Sequence, residues 1–165
     1  MKLFTFLATS LFLSSAFAVT NLQTCFSPDE NCDQVIIDYM KTATKTLDMA
    51  IFSMTHNGIR DALLDAKSRG VKIRIVADFS QSQEKTTLLP TLVADGFNVR
   101  YGSQEGIMHN KFTIVDGQWI ETGSYNYTYK ASKYNTENQI YLNEAAVVSR
   151  YKADFEKIWS TGTKP

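Results

Sequence analysis

Residues 108–126 read MHNKFTIVDGQWIETGSYN, and this is the most informative segment of the chain. Its centre, Asp116-Gly117, is typical of the tight turn that joins two antiparallel strands. The flanking residues suit strands, which we expect over Met108–Val115 and Gln118–Thr122. The stretch therefore predicts a β-hairpin that carries several polar side chains at its two outer ends.

Strands and helices alternate over the rest of the chain. Further strands are predicted over Thr24–Ser27, Thr46–Met54, Val71–Ala77, Phe97–Tyr101 and Asn138–Leu142. Helices are predicted over Asp29–Thr44, Asn57–Arg69, part of Gln83–Ala94 (where Pro90 disturbs the pattern) and Glu144–Trp159. This alternation predicts a layered α/β fold, in which helices flank a mixed β-sheet.

Composition narrows the classes of protein to which the chain can belong. It has 165 residues, 44% of them hydrophobic, with 8 glycines and 3 prolines, which excludes collagen-like and broadly disordered chains. The formal net charge is zero, so any polyanion must be bound by locally placed cations. One domain with a sizeable core is the natural expectation at this length.

The first 18 residues have the pattern of a secretory signal peptide. Lys2 precedes a mostly apolar run from Leu3 to Phe12, and small residues lead to Ala18, after which we expect cleavage. The alternative is a transmembrane anchor, but the apolar run is short and broken for a bilayer span. We therefore expect an exported protein, periplasmic or secreted, whose single folded domain covers residues 19–165.

Cys25 and Cys32 are the two cysteines of the chain. In an oxidising compartment, cysteines so close in sequence favour a local disulfide, and a pair of reduced, partly buried thiols is the alternative. Two cysteines alone cannot form a zinc site. Their expected role is structural.

The hairpin carries the residues that suit catalysis. His109 and Lys111 are two apart, so on a strand both side chains would project from the same face. An imidazole beside an ammonium suits a phosphodiester, because one group can attack phosphorus while the other neutralises an oxygen. After the hairpin, Ser124 and Asn126 offer hydrogen-bond donors for phosphate, and the Glu137 carboxylate could accept a hydrogen bond from an imidazole N–H.

These residues resemble the signature of the phospholipase D superfamily, and the likeness is greatest to its small, exported, single-motif bacterial endonucleases. The resemblance covers nearly the whole chain after the predicted signal peptide. The matching positions are His109, Lys111, Asp116, Gly123, Ser124, Asn126, Glu137 and Asn138.

The resemblance implies a role for each position. His109 would be the nucleophile and form a phosphohistidine, while Lys111, Ser124 and Asn126 would bind the phosphate. Glu137 would orient the imidazole. Asp116, grouped with the catalytic residues by the motif, would act mainly as a structural partner; the hairpin turn alone also accounts for an aspartate there.

Outside the motif, some residues remain open to two interpretations. The tyrosines that follow the hairpin, interleaved with Lys130 and Lys133, suit either a stacking surface for nucleic acid or a packed loop. They are Tyr125, Tyr127, Tyr129 and Tyr134. His56 precedes a predicted helix, where residues that cap the helix are common, and we interpret it as a loop or cap neighbour.

No metal or other cofactor is expected. Two-metal nucleases gather several carboxylates, whereas this motif supplies a lysine, a hydroxyl and an amide. Lys111 would also repel a divalent cation at close range.

The sequence favours an exported, metal-independent phosphodiesterase that acts as a non-specific endonuclease on DNA, with RNA as a further substrate. Hydrolysis of phospholipid headgroups at the same site is the alternative, and a noncatalytic nucleic-acid-binding module is a third. Because the chain carries one motif and the chemistry needs a second acid–base group, we expect a homodimer with a composite active site.

Overall fold

The computed structural model describes residues 22–165, and the predicted signal peptide, residues 1–18, lies outside the described residues. The strands are β1 (Gln23–Ser27), β2 (Thr46–Ile51), β3 (Lys72–Ala77), β4 (Asn98–Tyr101), β5 (Lys111–Val115), β6 (Trp119–Gly123) and β7 (Glu137–Leu142). The helices are α1 (Cys32–Lys41), α2 (Asn57–Ser68), α3 (Leu89–Ala94), α4 (Tyr129–Lys133) and α5 (Ala145–Thr161). A 3₁₀ turn occupies Ser80–Gln83.

The seven strands form one mixed sheet in the order β1-β7-β6-β5-β2-β3-β4. β2 pairs in parallel with β3, and β3 pairs in parallel with β4. The pairs β1–β7, β7–β6, β6–β5 and β5–β2 are antiparallel. The predicted layered α/β fold with a mixed sheet is confirmed.

Alternation along the strands divides the core into two layers. In β2, Leu47, Met49 and Ile51 face the layer that contains α1, α2 and α3, whereas Ala50 faces the layer that contains α5. The same alternation places Phe112 and Ile114 of β5 against α5. Successive side chains point to opposite faces of a strand, so both faces of this sheet are buried under helices.

The predicted hairpin is confirmed, and its turn has the expected geometry. β5 and β6 pair antiparallel, and Asp116 and Gly117 both have positive φ, at 53° and 66°. Turns of this kind match the right-handed twist of the strands that they join, and aspartate and glycine tolerate the left-handed backbone.

Several predicted element boundaries are wrong. β5 begins at Lys111 instead of Met108, and β2 ends at Ile51 instead of Met54. α1 begins at Cys32, and Pro90 lies in the first turn of α3, where a missing N–H costs nothing. The short helix α4 lies in a segment for which the sequence predicted no helix.

The predicted disulfide between Cys25 and Cys32 is confirmed. It joins β1 to the first residue of α1, and both cysteines are buried. β1 pairs with β7 so that Ser27 lies opposite Glu137. The disulfide thereby fixes the strand that flanks one of the predicted site residues.

Strand direction gathers four chain segments at one end of the sheet. Because β5 is antiparallel to both β2 and β6, its start lies beside the ends of those two strands. β7 is antiparallel to β6, so its start comes to the same place.

Among the described helices, none has the length and apolarity that crossing a bilayer requires.

Candidate active site

Lys111 opens β5 and is almost completely buried, with 7% of its surface exposed. Its Nζ donates a hydrogen bond to the backbone carbonyl of His109 at 2.7 Å and lies 5.0 Å from the centre of the Phe52 ring. Burial lowers the pKa of Lys111, and the negative charge of Glu137 opposes this effect. The ammonium is therefore held at the end of the sheet with few water contacts.

His109 lies in the loop just before β5 and is exposed to solvent. The expectation that it shares a strand with Lys111 is wrong, because the carbonyl of His109 turns towards the Lys111 ammonium. The imidazole instead packs edge-on against Phe52, with ring centres 4.6 Å apart and planes at 61°. One aromatic ring thus contacts both polar side chains, and it leaves the imidazole accessible.

Gly123 ends β6 at a point where no side chain fits. A Cβ atom there would lie 2.1 Å from the backbone carbonyl oxygen of Asn138. This close approach brings Ser124 against β7, where its Oγ donates to Glu137 and accepts from the backbone N–H of Asn138 at 3.1 Å. Position 123, one of the matching motif positions, therefore has room only for glycine.

Asn126 is oriented by the segment that follows β2. Its Oδ1 accepts a hydrogen bond from the backbone N–H of Ser53 at 3.3 Å. Within the described part of the chain, the side-chain amide nitrogen has no acceptor, so its N–H groups can donate to a bound phosphate. Asn126 is half-buried beside the segment that carries Phe52.

Glu137 opens β7 and is held by two neighbours. Its carboxylate accepts hydrogen bonds from Ser124 Oγ and, at 2.9 Å, from Asn135 Nδ2. Among the described residues, these two side chains are its hydrogen-bond partners, and the imidazole of the same chain is not one of them. β6 separates β5 from β7, so their backbones are roughly 10 Å apart.

Asp116 lies at the opposite end of β5 from the other predicted site residues. Its carboxylate accepts hydrogen bonds from the backbone N–H groups of residues 44, 45 and 46 at 2.7–3.2 Å, and from the Thr44 hydroxyl. The structure therefore does not bring Asp116 to the site with His109. It ties the hairpin turn to the start of β2.

The tyrosines after the hairpin divide into two pairs. Tyr125 and Tyr127 are buried and bond to other buried side chains, so for them the packed-loop interpretation is confirmed. Tyr129 and Tyr134 are exposed, at 56% and 72%. The loop thus serves both the core and the surface.

His56 precedes α2, as expected of a cap neighbour, but its side chain makes no capping hydrogen bond. Its Nε2 lies 3.6 Å from Asp33 Oδ2, and its ring stacks over Tyr129 with centres 6.4 Å apart. The side chain is 13% exposed. This histidine is engaged in tertiary packing.

Sequence reasoning missed three residues that shape the site: Phe52, Ser53 and Asn135. Phe52 follows an apolar strand and carries no signal that separates it from core residues. Ser53 contributes only its backbone N–H, and Asn135 positions Glu137 through a contact that the fold alone creates. Only Asn135, two residues before a motif carboxylate, could have been suspected from the sequence.

Candidate metal ligands do not gather at this end of the described chain. In residues 22–165, the one cluster of three potential ligand atoms consists of Cys25, Glu30 and Cys32. The two sulfur atoms are joined as a disulfide, so they are not thiolate ligands.

Residues 36–159 match the family model described as "Cardiolipin synthase, PLD-like domain". The chain belongs to this phospholipase D-like family. The resemblance seen in the motif is thereby confirmed, and with it the expectation of a phosphodiester hydrolase.

Curated members of the family resemble this PLD-like chain over most of its length. A phospholipase D from Rickettsia bellii is 34% identical over 137 residues, which are 83% of this chain and 68% of the relative. A mitochondrial cardiolipin hydrolase from Chlamydomonas reinhardtii is 32% identical over 123 residues, 74% of this chain. The match spans only 55% of that hydrolase.

Two solved structures share the fold of this PLD-like chain almost from end to end. Nuc, a phospholipase D family member from Salmonella typhimurium, has a TM-score of 0.81 and 28% identity, covering 86% of this chain and 95% of Nuc. NucT from Helicobacter pylori has a TM-score of 0.79 and 23% identity, covering 88% and 99%. The second likeness concerns the fold alone.

The position of Asp116 generates a prediction about stability. Burial by itself would raise the pKa of Asp116, but the hydrogen bonds from residues 44–46 outweigh it and hold the pKa below its usual 3.8. The ionised carboxylate therefore stabilises the fold above pH 3.8, and this contribution is lost as the pH falls through the lowered value. Asp116→Asn should lower the free energy of unfolding by about 1 kcal/mol at pH 7, a small value because the group is partly solvated.

Denaturant unfolding at pH 7 and at successively lower pH measures this effect, and the difference between Asp116→Asn and wild type should shrink as the wild-type carboxylate protonates. Asparagine also tolerates the positive φ, so backbone strain does not confound the comparison. The matched control is Asp154→Asn, an exposed change on α5. Equal stabilities of Asp116→Asn and wild type at pH 7 would contradict the structural role.

Proposed function

We propose that this chain is an exported, metal-independent endonuclease that cleaves DNA, and RNA as a further substrate, with His109 as the nucleophile. One observation carries the proposal: an exposed imidazole lies beside a buried ammonium whose position is fixed by the imidazole's own backbone carbonyl. Asn126, whose amide nitrogen is available as a donor, and Ser124, whose hydroxyl is bonded to Glu137, lie at the same end of the sheet. Such a site binds a phosphodiester and attacks its phosphorus.

The reaction divides into two displacements. In the first, a ring nitrogen of His109 forms a bond to phosphorus, the bond to the leaving oxygen breaks, and a second acid–base group protonates that oxygen. In the second, the same group takes a proton from water, whose oxygen attacks phosphorus and releases the imidazole. Lys111 and Asn126 stabilise the charge that develops on the nonbridging oxygens.

Ser124 and Glu137 support this reaction from the β7 side. In the structure the Ser124 hydroxyl donates to Glu137, so it must rotate to donate to a phosphate oxygen. A carboxylate behind an imidazole fixes its tautomer and stabilises the positive charge that forms during attack. Glu137 is assigned this orienting role.

Metal independence is supported by the donors at the site. Its groups towards the substrate are an ammonium, a hydroxyl and an amide, all suited to phosphate oxygens. A divalent cation prefers clustered oxygen ligands and would be repelled by the Lys111 charge.

The resemblance of the motif to small single-motif endonucleases supports nucleic acid as the substrate, and the chain matches the phospholipase D family member Nuc over almost the whole length of Nuc. A specific observation favours phospholipid as the alternative substrate: the curated relatives at 32–34% identity are a cardiolipin hydrolase and phospholipases D. The same catalytic groups would serve both reactions. The disulfide between Cys25 and Cys32 supports export, because disulfides persist in oxidising compartments. Export suits either substrate.

A homodimer with a composite site would supply the second acid–base group. His56 is the other histidine of the chain, and its contacts with Asp33 and Tyr129 engage it in packing. A two-fold axis beside His109 would place a second imidazole at the same phosphate. It would also let Glu137 of one protomer approach His109 of its partner, which fits the absence of a bond between them within one protomer's described residues.

Plasmid cleavage by the purified chain in excess EDTA tests the proposed chemistry. Wild type should remain active, and His109→Ala should lose activity about a thousandfold or more, because the attacking nitrogen is gone. The fold should survive, since the side chain is exposed. The parallel assay replaces plasmid with phosphatidylcholine vesicles. Loss of wild-type activity in EDTA with recovery in Mg²⁺ would refute metal independence, and turnover of vesicles alone would refute the nuclease.

Subunit exchange tests the composite site. An excess of folded His109→Ala chain should draw wild-type chains into mixed dimers and suppress plasmid cleavage by wild type, because each phosphate then meets one imidazole. Serum albumin at equal mass is the control, and sedimentation should show a species of twice the chain mass. A monomer whose activity stays proportional to concentration and is unaffected by the excess variant would contradict the dimer.

A further inference from the structure

Two exposed tyrosines beside the site have no role in the core. Tyr129 and Tyr134 are 56% and 72% exposed, whereas Tyr125 and Tyr127, earlier in the same segment, are essentially inaccessible. We call Tyr129 and Tyr134 the tyrosine platform. Exposed aromatic rings grouped together mark binding surfaces more often than isolated apolar residues do.

The platform is held in place by a rigid base. Thr128 caps α4 by accepting a hydrogen bond from the Ala131 N–H at 3.1 Å, and Ala131 and Ser132 form the buried face of the helix. Asp33 Oδ2 lies 3.2 Å from Lys133 Nζ and so ties α4 to α1. Little conformational entropy would be lost on binding, because the backbone under the two rings is already ordered.

The two rings of the platform do not stack face to face on one another. Their centres are 6.3 Å apart and their planes meet at 68°, an edge-to-face contact. His56 stacks over Tyr129 with the planes 28° apart. Tyr134 is the more exposed of the two, and it contributes the larger free surface.

The platform is continuous with the phosphate-binding residues along two routes. Tyr134 directly precedes Asn135, whose side chain bonds to Glu137. Tyr129 leads back through Thr128 and Tyr127 to Asn126, and the carbonyl of Tyr127 accepts from the backbone N–H groups of residues 55 and 56 at 2.9 and 3.1 Å. Tyr129 is three residues from Asn126 and Tyr134 is three residues from Glu137, so both rings lie near the end of the sheet that carries the site.

We infer that the tyrosine platform binds unpaired nucleobases next to the scissile phosphate, so that the enzyme acts on single-stranded segments. This inference rests on the proposed nuclease function. Every base presents a flat face that stacks on a tyrosine ring without regard to sequence. In a duplex these faces are already covered by neighbouring base pairs, so the platform discriminates in favour of single strands.

Charge beside the platform favours the same ligand. Lys130 is exposed next to Tyr129 and makes no ion pair within the described residues, so it can meet a backbone phosphate. Lys133 is engaged by Asp33. Aromatic rings interleaved with a free cation suit a single strand, whose bases and phosphates alternate.

Binding and cleavage together test the platform. Affinity for a fluorescein-labelled single-stranded oligonucleotide is measured by anisotropy in the inactive His109→Ala background, and kcat/KM is measured in the active chain. Tyr134→Ala and Tyr129→Ala should each weaken affinity about tenfold, the scale of one lost base–aromatic stack. Tyr134→Phe keeps the ring and should restore wild-type affinity. Lys130→Ala should also weaken binding, whereas Lys152→Ala, a matched change on α5, should not.

Substrate comparison separates binding from a general loss of activity. The ratio of kcat/KM for the oligonucleotide to that for bis(4-nitrophenyl) phosphate should fall in the alanine variants, and so should the preference for the single strand over its duplex. An equal fall on both substrates, or unchanged affinity, would overturn the inference. So would conversion of a dimer to monomers in sedimentation, or a loss confined to binding of cardiolipin vesicles.

Failure of the platform and failure of the nuclease have different signatures. If wild type cleaves DNA and the tyrosine variants bind and cleave it equally well, the platform is wrong and the nuclease stands. If the small diester is hydrolysed but DNA is not cleaved, the nuclease is wrong, and tyrosine-dependent binding in the inactive background still decides the platform.

Discussion

The site depends on a lysine held inside the end of a β-sheet. Removing an ammonium from water is costly, and for Lys111 the cost is offset by the His109 carbonyl, the face of Phe52 and the field of Glu137. The lowered pKa shows that this compensation is incomplete. A phosphate oxygen would supply the missing negative charge, so substrate binding and relief of the desolvation cost are the same event.

The imidazole lies just outside this buried ammonium. Lys111 Nζ bonds to the His109 carbonyl in the loop before β5, and the His109 ring rests against Phe52 and stays exposed. Two further interactions, away from Lys111, stabilise the strands around the site. Asp116 joins the far end of the hairpin to the start of β2, and the disulfide of Cys25 fixes β1 beside β7.

The sequence was informative where local chemistry decides the structure. A two-residue hairpin turn requires positive φ at both positions, and Asp116-Gly117 tolerates it. The β5–β6 hairpin was therefore predictable. The spaced polar residues identified most of the site, because their order along antiparallel strands brings them to one end of the sheet. Local chemistry was insufficient where contacts between distant segments matter: His109 lies outside its predicted strand, and its ring packs against Phe52 from the segment after β2. Phe52 and Asn135 entered the site by the same kind of contact, and the split between buried Tyr127 and exposed Tyr129 depends on α4, which is too short to show a helical pattern.

The proposed mechanism depends on a covalent bond between His109 and phosphorus. Single-turnover reaction with an end-labelled oligonucleotide, quenched in alkaline denaturant because phosphohistidine is labile in acid, captures the intermediate directly. Mass spectrometry of the digested chain then locates the nucleotide. We expect a protein–DNA adduct that forms and decays within the turnover and maps to a ring nitrogen of His109. A turnover that proceeds at full rate with no adduct, or with the adduct on another residue, would contradict the proposed mechanism.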